Sequence, residues 1–425
     1  MASGDHQLHP VRLIVGGDLR RSRVTVLFRA ILAVPHVLWL ILWTVAVLVT
    51  AILNWFVTLF TGRPAAGLHR FACSYIRYIT RLDSYIYLVA SPYPPFGGAP
   101  GGYPIDIELP APLPQSRWKT LFRLPLGIPA AMLGGVLGGS IGGGTSRGGR
   151  RNGLQTSIGG LTLAAAILGW FASLARARMP KGLRDAGAYG VGFNAQVLAY
   201  FLLVTDRYPN ADPTELLADV ERSPVHPVHL VGDPDDLRRS RVTVFFRLLL
   251  TIPHIVWLVL WGVPAYLAVI VNWFVALVQG RPVARLHGFV ARYVRYQLHV
   301  TAFLYLAANP FPGFTGREGT YTVDLVLPGP GRQSRWKTLF RLPLAIPALI
   351  VGFCLSGALG LTAVFTWFVA LAKGSAPWGL RNLAAYSLRY SAQTNAYLWL
   401  VTDVYPHASP LEGAPSPEHS FDDPS

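Results

Sequence analysis

Between Arg29 and Arg63 the chain runs for 33 residues with no Asp, Glu, Lys or Arg and a single His. An apolar run of that length exceeds any ordinary soluble helix or strand and is long enough to cross a bilayer core of about 30 Å. Comparable runs return at Phe246 to Pro282 and Phe340 to Pro377 and, interrupted, at Phe122 to Pro180. The chain is therefore expected to be one membrane-embedded unit written four times.

The copies pair off. Residues 19–43 match residues 237–261 at 17 of 25 positions with an offset of 218, and Gln115 to Pro125 repeats as Gln333 to Pro343 at the same offset. This register relates unit one to unit three and unit two to unit four, so two pseudo-equivalent halves are expected. Each unit opens on a short β-prone run: Val11 to Val15, Tyr103 to Leu109, Pro227 to Val231 and Tyr321 to Leu327. In YPIDIEL the apolar Ile105, Ile107 and Leu109 alternate with Asp106 and Glu108, the period of a half-buried strand. Four such strands are expected to form a small sheet outside the bilayer, because an open sheet edge cannot lie in lipid.

The apolar runs have marked midpoints: Gly262-Val263-Pro264 in unit three, Ser356-Gly357 in unit four, and Gly138 with a Gly/Arg-rich insert in unit two. Gly and Pro interrupt helices, and an Arg-bearing insert cannot sit in hydrocarbon. Each run is accordingly expected to be a helical hairpin with arms of about 17 residues, which at about 1.5 Å per residue barely cross the core. A second helix, Leu68 to Ala90, carries Arg70, Ser74, Arg77, Arg81 and Ser84 on one stripe and is expected to be amphipathic and interfacial. The fold class is thus an all-α polytopic membrane protein with short extramembrane β-strands, in four repeats of strand, apolar helical hairpin and amphipathic helix. The expected boundaries are 1–100 for unit one, 101–209 for unit two with its insert near 138–158, 210–227 for a linker opening unit three, 228–315 for unit three, 316–406 for unit four, and 407–425 for a disordered tail.

Charge sets the orientation. The 37 Lys and Arg outnumber 21 Asp and Glu, and only Lys119, Lys181, Lys337 and Lys373 are lysines, so the net +16 is largely guanidinium, which binds phosphate in bidentate fashion. With 14% charged residues against about 25% in soluble domains, and no soluble nucleic-acid-binding fold apparent, the phosphate expected is a phospholipid headgroup rather than a nucleic acid. Basic residues before the apolar runs number 14 and those after them 15. Single crossings would leave the positive-inside rule nothing to act on, whereas hairpins place all of them on one face, giving a multi-pass cell-membrane protein with cytoplasmic termini.

The motifs FRxxLxIPH, Asn54-Trp55-Phe56 with Asn272-Trp273-Phe274, GRP, and Tyr75-Ile76-Arg77-Tyr78 with Tyr293-Val294-Arg295-Tyr296 resemble the uncharacterised membrane family called domain of unknown function 4389, of actinobacterial type. The resemblance covers nearly the whole chain. Unit two departs most, with Gly169 for the asparagine and no YxRY motif. The family name brings no activity with it, so it implies no catalytic residue.

No paired carboxylates, nucleophile with a base, or Cys-based metal framework is apparent in the four copies, so a non-enzyme without cofactor or metal is expected. His36 and His254 follow the kink prolines, but Ala130 and Ala348 replace them in the other units, so a packing role is expected. The candidate contacts to anionic lipid, or to an anion, are Arg29, Arg77, Arg81, Arg123, Arg247, Arg292, Arg295, Arg341 and Arg389. Two functions compete: a scaffold or membrane organiser that binds anionic headgroups, and a transporter or channel whose arginine stripes line a path for a small anion.

Overall fold

The computed structural model describes residues 8–139, 160–232 and 237–413. Most of the insert near 138–158, and the expected disordered tail from 414 onward, lie outside the described residues. The chain divides into two compact, mostly helical units, Met1–Val220 and Glu221–Ser425. In the first, β1 (Arg12–Val15) precedes α1 (Arg23–Thr61), α2 (Ala66–Ile86), β2 (Ile105–Glu108), α3 (Arg117–Leu121), α4 (Arg123–Gly138), α5 (Leu161–Arg176), α6 (Lys181–Phe201), α7 (Pro213–Leu216) and β3 (Leu217–Ala218). The second holds β4 (His229–Gly232), α8 (Arg241–Gln279), α9 (Ala284–Leu304), β5 (Val323–Val326), α10 (Arg335–Leu339), α11 (Arg341–Lys373) and α12 (Trp378–Leu398).

The expected hairpins are single helices. α1 and α8 each run for 39 residues and α11 for 33, so the longest extend about 58 Å at about 1.5 Å per residue. All three are long and apolar enough to cross a membrane. α8 passes straight through Gly262-Val263-Pro264. A proline removes one N–H and crowds one carbonyl, which bends a helix, but the flanking apolar residues offer the backbone no better partner than the helical ladder. In α11 the Ser356 hydroxyl is turned back onto the Gly352 carbonyl at 2.8 Å. The helices stop where Gly62, Gly280 and Gly374 enter the left-handed region, each N–H bonding a carbonyl four residues back.

Unit two alone is divided. Its α4 and α5 meet end to end, with the Thr162 hydroxyl donating to the Leu137 carbonyl at 3.1 Å. A Cβ on Gly139 would come within 2.5 Å of Gly160 backbone, so only glycine fits this junction. Both α4 and α5 lie against α6, as α11 lies against α12.

The second helices are not free surface helices. α2 runs antiparallel beside α1: Asn54 Oδ1 accepts the Ala65 N–H at 3.0 Å, the Thr44 and Tyr75 hydroxyls meet at 2.9 Å, and the Tyr78 hydroxyl meets His36 Nδ1 at 2.8 Å. α9 repeats this beside α8, with Asn272 on the Val283 N–H and His254 on Tyr296. Three faces of α2 are thereby used. Tyr75 and Tyr78 turn to α1, Ala72 and Ile76 share a core with Ala195 and Ala199 of α6, and Arg77 turns to β2. On α6, Gly190 and Asn194 meet the α4–α5 junction, whereas Gln196 donates to the Val11 carbonyl beside β1. The first unit is therefore layered, with α1 and α4–α5 on one side of the α2–α6 pair and the strands on the other.

The strands make two small sheets, one per unit, instead of one. β1 pairs antiparallel with β2, Leu13 opposite Ile107, and parallel with β3; β4 pairs antiparallel with β5, Leu230 opposite Leu325. Residues 210–227, read from sequence as a linker, carry α7 and β3, with Leu216, Leu217 and Ala218 buried. The described start of the tail is packed too, Leu411 being buried. The sheet lies level with the middle of the long helices: Arg77, central in α2, bonds Asp106 of β2, while its neighbours Tyr75 and Tyr78 reach Thr44 and His36 near the centre of α1.

Asn54 and Asn272 are each 1% exposed, and each supplies the acceptor for a helix-start N–H. Replacing either with Ala orphans that donor, and thermal unfolding in detergent is expected to show a loss of about 1–3 kcal/mol per site.

Candidate functional site

The arginines that open the long helices do not reach outward. Arg29 is 4% exposed and Arg123, Arg247 and Arg341 are each 2% exposed. Arg29 Nη1 donates to the carbonyls of Tyr85 and, at 3.0 Å, Ala90, at the C-terminal end of α2. Arg123 does the same to Tyr200 and Thr205 beyond α6, Arg247 to Phe303 and Ala308 beyond α9, and Arg341 to Tyr397 and Thr402 beyond α12. Each guanidinium also lies over the ring of the first of those residues, at 4.3–4.7 Å from its centre. A helix C-terminus carries unpaired carbonyls and about half a negative charge, so a fixed cation with several donors suits it, and the ring adds cation–π attraction. These four candidate lipid contacts are therefore placed as helix caps.

A second donor completes each cap, and sequence reasoning missed it. The chain leaves α2, α6, α9 and α12 through a left-handed leucine, Leu88, Leu203, Leu306 and Leu400, with φ near +60°. The carbonyls of Leu88 and Leu306 accept from Arg21 and Arg239, and those of Leu203 and Leu400 accept at 2.7 Å from Gln115 and Gln333. The exact repetition of Arg21 as Arg239 and of Gln115 as Gln333 at one offset was the available signal.

The stripe residues gather at two carboxylates, the half-buried Asp106 and the buried Asp324. Asp106 Oδ1 accepts from Arg77 Nε at 2.9 Å and the Ile107 N–H at 2.8 Å, while Oδ2 takes the Gly101 N–H and stands 3.3 Å from Arg81. Asp324 repeats this with Arg295, the Leu325 and Gly319 N–H groups, and His299 at 2.9 Å in the place of Arg81. Burial would raise both carboxyls. The backbone donors with Arg81 and Arg77 at Asp106, and His299 with the backbone donors at Asp324, outweigh burial and hold both below the usual carboxylate range.

Arg389 is held by the Ser409 carbonyl and by Glu412 at 3.1 Å. Of the nine candidates, Arg292 alone is exposed on its helix. The other eight are engaged inside their own units as helix caps or as partners of Asp106, Asp324 and Glu412. His36 and His254 pack as rings, stacked on Phe96 at 4.1 Å and Phe314 at 4.4 Å. Among the described residues, no three His, Cys, Asp or Glu side chains come together to hold a metal ion.

Exposed cations sit instead at the ends of the long helices. Arg20, Arg23, Arg176 and Arg178 surround the start of α1, with Arg20 and Arg178 opposite each other in an isolated antiparallel bridge. A shallow depression there is lined by Asp18, Arg20, Arg21, Ser22, Arg176 and Arg178. Arg63 and Arg117 flank the other end of α1, and Arg238, Arg241 and Lys373 meet at the start of α8.

A repeated unit of long apolar helix, capped second helix and carboxylate-pinned strand defines the class of protein. The domain of unknown function DUF4389 matches residues 23–97, 241–315 and 335–409, more than half of the chain. The chain belongs to that family. No curated protein and no solved structure matches it.

Two outcomes follow from this site. Arg29→Met is expected to lose about 1–3 kcal/mol for each carbonyl it orphans, with Arg29→Lys intermediate, and the loss in thermal unfolding should be equal in neutral and anionic lipid. Because both aspartates sit below their unfolded pKa of about 3.9, their stabilisation is complete above about pH 4 and is lost as pH falls through the folded values. Unfolding midpoints of the wild type should therefore drop on acidification to pH 3, whereas Asp106→Asn with Asp324→Asn starts lower and changes less.

Proposed function

We propose that the protein is a non-enzymatic membrane protein that binds anionic lipid headgroups and serves as a scaffold or organiser of the membrane. The carrying observation is the group of exposed arginines, Arg20, Arg23, Arg176 and Arg178, at the rim of long helices whose outward surface is apolar. Phosphate is the anion that this arrangement suits: guanidinium groups fork it, and each basic side chain near an anionic surface adds about 1 kcal/mol of attraction. The reading in which Arg77, Arg81 and Arg295 line an anion path draws no support from their pairing to Asp106 and Asp324.

The unit is read here as fourfold, since the cap of Arg123 over Tyr200 follows the same plan as the caps inside the three matched segments. The excess of exposed basic residues favours the cytoplasmic face of a bacterial cell membrane, with the termini on that side.

The test is flotation with phosphatidylglycerol or phosphatidylcholine vesicles across a salt series. Recovery is expected to favour the anionic vesicles and to fall with salt, and Arg20→Gln, Arg176→Gln and Arg178→Gln together should narrow the preference without changing unfolding. Equal recovery with both lipids at low salt would remove the headgroup reading.

A further inference from the structure

We infer that the long apolar helices lie flat within one leaflet, parallel to the membrane plane, and that none of them crosses the bilayer. The inference rests on the membrane reading above and deepens it by fixing how the surface meets lipid.

Length is the first observation. A helix of about 58 Å exceeds both the hydrocarbon core of about 30 Å and the whole bilayer of about 40–45 Å. Fitting it within the core needs a tilt of roughly 60°, beyond the usual range of about 0–40°. The ends of the helix are as apolar and exposed as its middle: Leu27 is 54%, Val45 60% and Phe60 72% exposed. In α8, Val242 and Val278 at the two ends are likewise exposed. An upright helix of this length would leave such ends among headgroups and in water.

The position of the sheet is the second. β2 and the segment before it, with Asp106, Arg77 and Arg81, stand abreast of the centre of α1, and β5 with Asp324 and Arg295 is pinned to the centre of α9, which packs on α8 around His254. If the helices stood upright, two charged clusters and open strand edges would sit at the depth of the bilayer centre, where unpaired backbone groups and charges cost most. Laid flat, the same layers are ordered by polarity. The apolar helices face hydrocarbon, the second helices come next, and the strands face water.

Charge is the third. Exposed basic residues lie both before and after the apolar runs, and exposed arginines mark both ends of α1, Arg23 at one and Arg63 at the other. Opposite ends of a crossing helix would meet opposite faces, one of which disfavours this charge. Ends at one depth meet the same row of phosphates, so exposed basic residues at both ends are the expected pattern. The occupant of the apolar layer is therefore the acyl region of a single leaflet with anionic headgroups at its edges.

The experiment uses the full chain with Leu27→Cys, Val45→Cys or Phe60→Cys in a Cys73→Ser, Cys354→Ala background. Each is labelled with a fluorophore and reconstituted with phosphatidylglycerol containing nitroxides at defined acyl positions. Equal depth at all three sites, short of the midplane, is the expected result. A site at Val45 near the midplane with Leu27 and Phe60 shallow would overturn the inference and leave lipid binding intact. In sealed membranes, Ser22→Cys and Thr61→Cys should react with an impermeant maleimide together, both before or both after permeabilisation, and reaction from opposite sides would also overturn it. Protein that stays in the aqueous phase without detergent would overturn this inference and the membrane reading together.

Discussion

A buried guanidinium that closes the C-terminus of a neighbouring helix is the contact on which each repeat depends. Arg29, Arg123, Arg247 and Arg341 are spaced 56 or 77 residues from the carbonyls they first meet, so each bond ties the first turns of an apolar helix to the end of the second helix packed beside it. In units one and three the chain between is held to the same geometry by the asparagine at the turn and the His–Tyr contact in the middle. Desolvating a guanidinium is costly unless its hydrogens find acceptors. A helix end supplies them in a cluster, with a dipole of the right sign. Where the apolar exterior faces hydrocarbon, as proposed, open carbonyls beside it would find no water, and the cap supplies the missing donors.

This use of arginine changes the meaning of the charge. A net +16 looks like a single population of headgroup ligands, yet the structure separates an internal set, bonded to carbonyls and to Asp106 and Asp324, from an external set at the helix ends. The internal set is bound up with the fold, whereas the external set lies exposed at the helix ends and is the one that the proposed headgroup binding would use. The two hubs also explain why Arg81 in one unit corresponds to His299 in another: either side chain donates to the aspartate, and the strand and the second helix remain joined.

Much of the architecture was legible. β1, β2, β4 and β5 fall on the four β-prone runs while β3 lies in the expected linker, the second helices run where the polar stripe does, and the 218-residue offset announces the repetition of caps and hubs. The hairpins fail because glycine and proline do not stop these helices: α8 and α11 carry them inside unbroken runs. The caps were missed for a different reason. Arg29 next to an apolar run looks the same whether it snorkels to phosphate or turns inward, and the partner carbonyls carry no side-chain signature. The left-handed residue that ends α2 is Leu88, where a glycine would have flagged the turn.

The stripe on α2 shows how far periodicity alone can go. Arg77 and Arg81 do share a face, as their spacing requires, but a polar face on a helix is satisfied equally by water, by headgroups or by a protein carboxylate. Only the structure settles which: Ile107 packs with Ala72 and Ile76 of α2 in the core, and its neighbour Asp106 is reached by the long side chains of Arg77 and Arg81. The same placement holds the sheet beside the centre of the long helices instead of beyond their ends. On the proposed membrane reading, the pair that pins this strand also bears on how the first unit's long helix would be oriented, since standing it upright would carry Asp106 and Arg77 into the hydrocarbon.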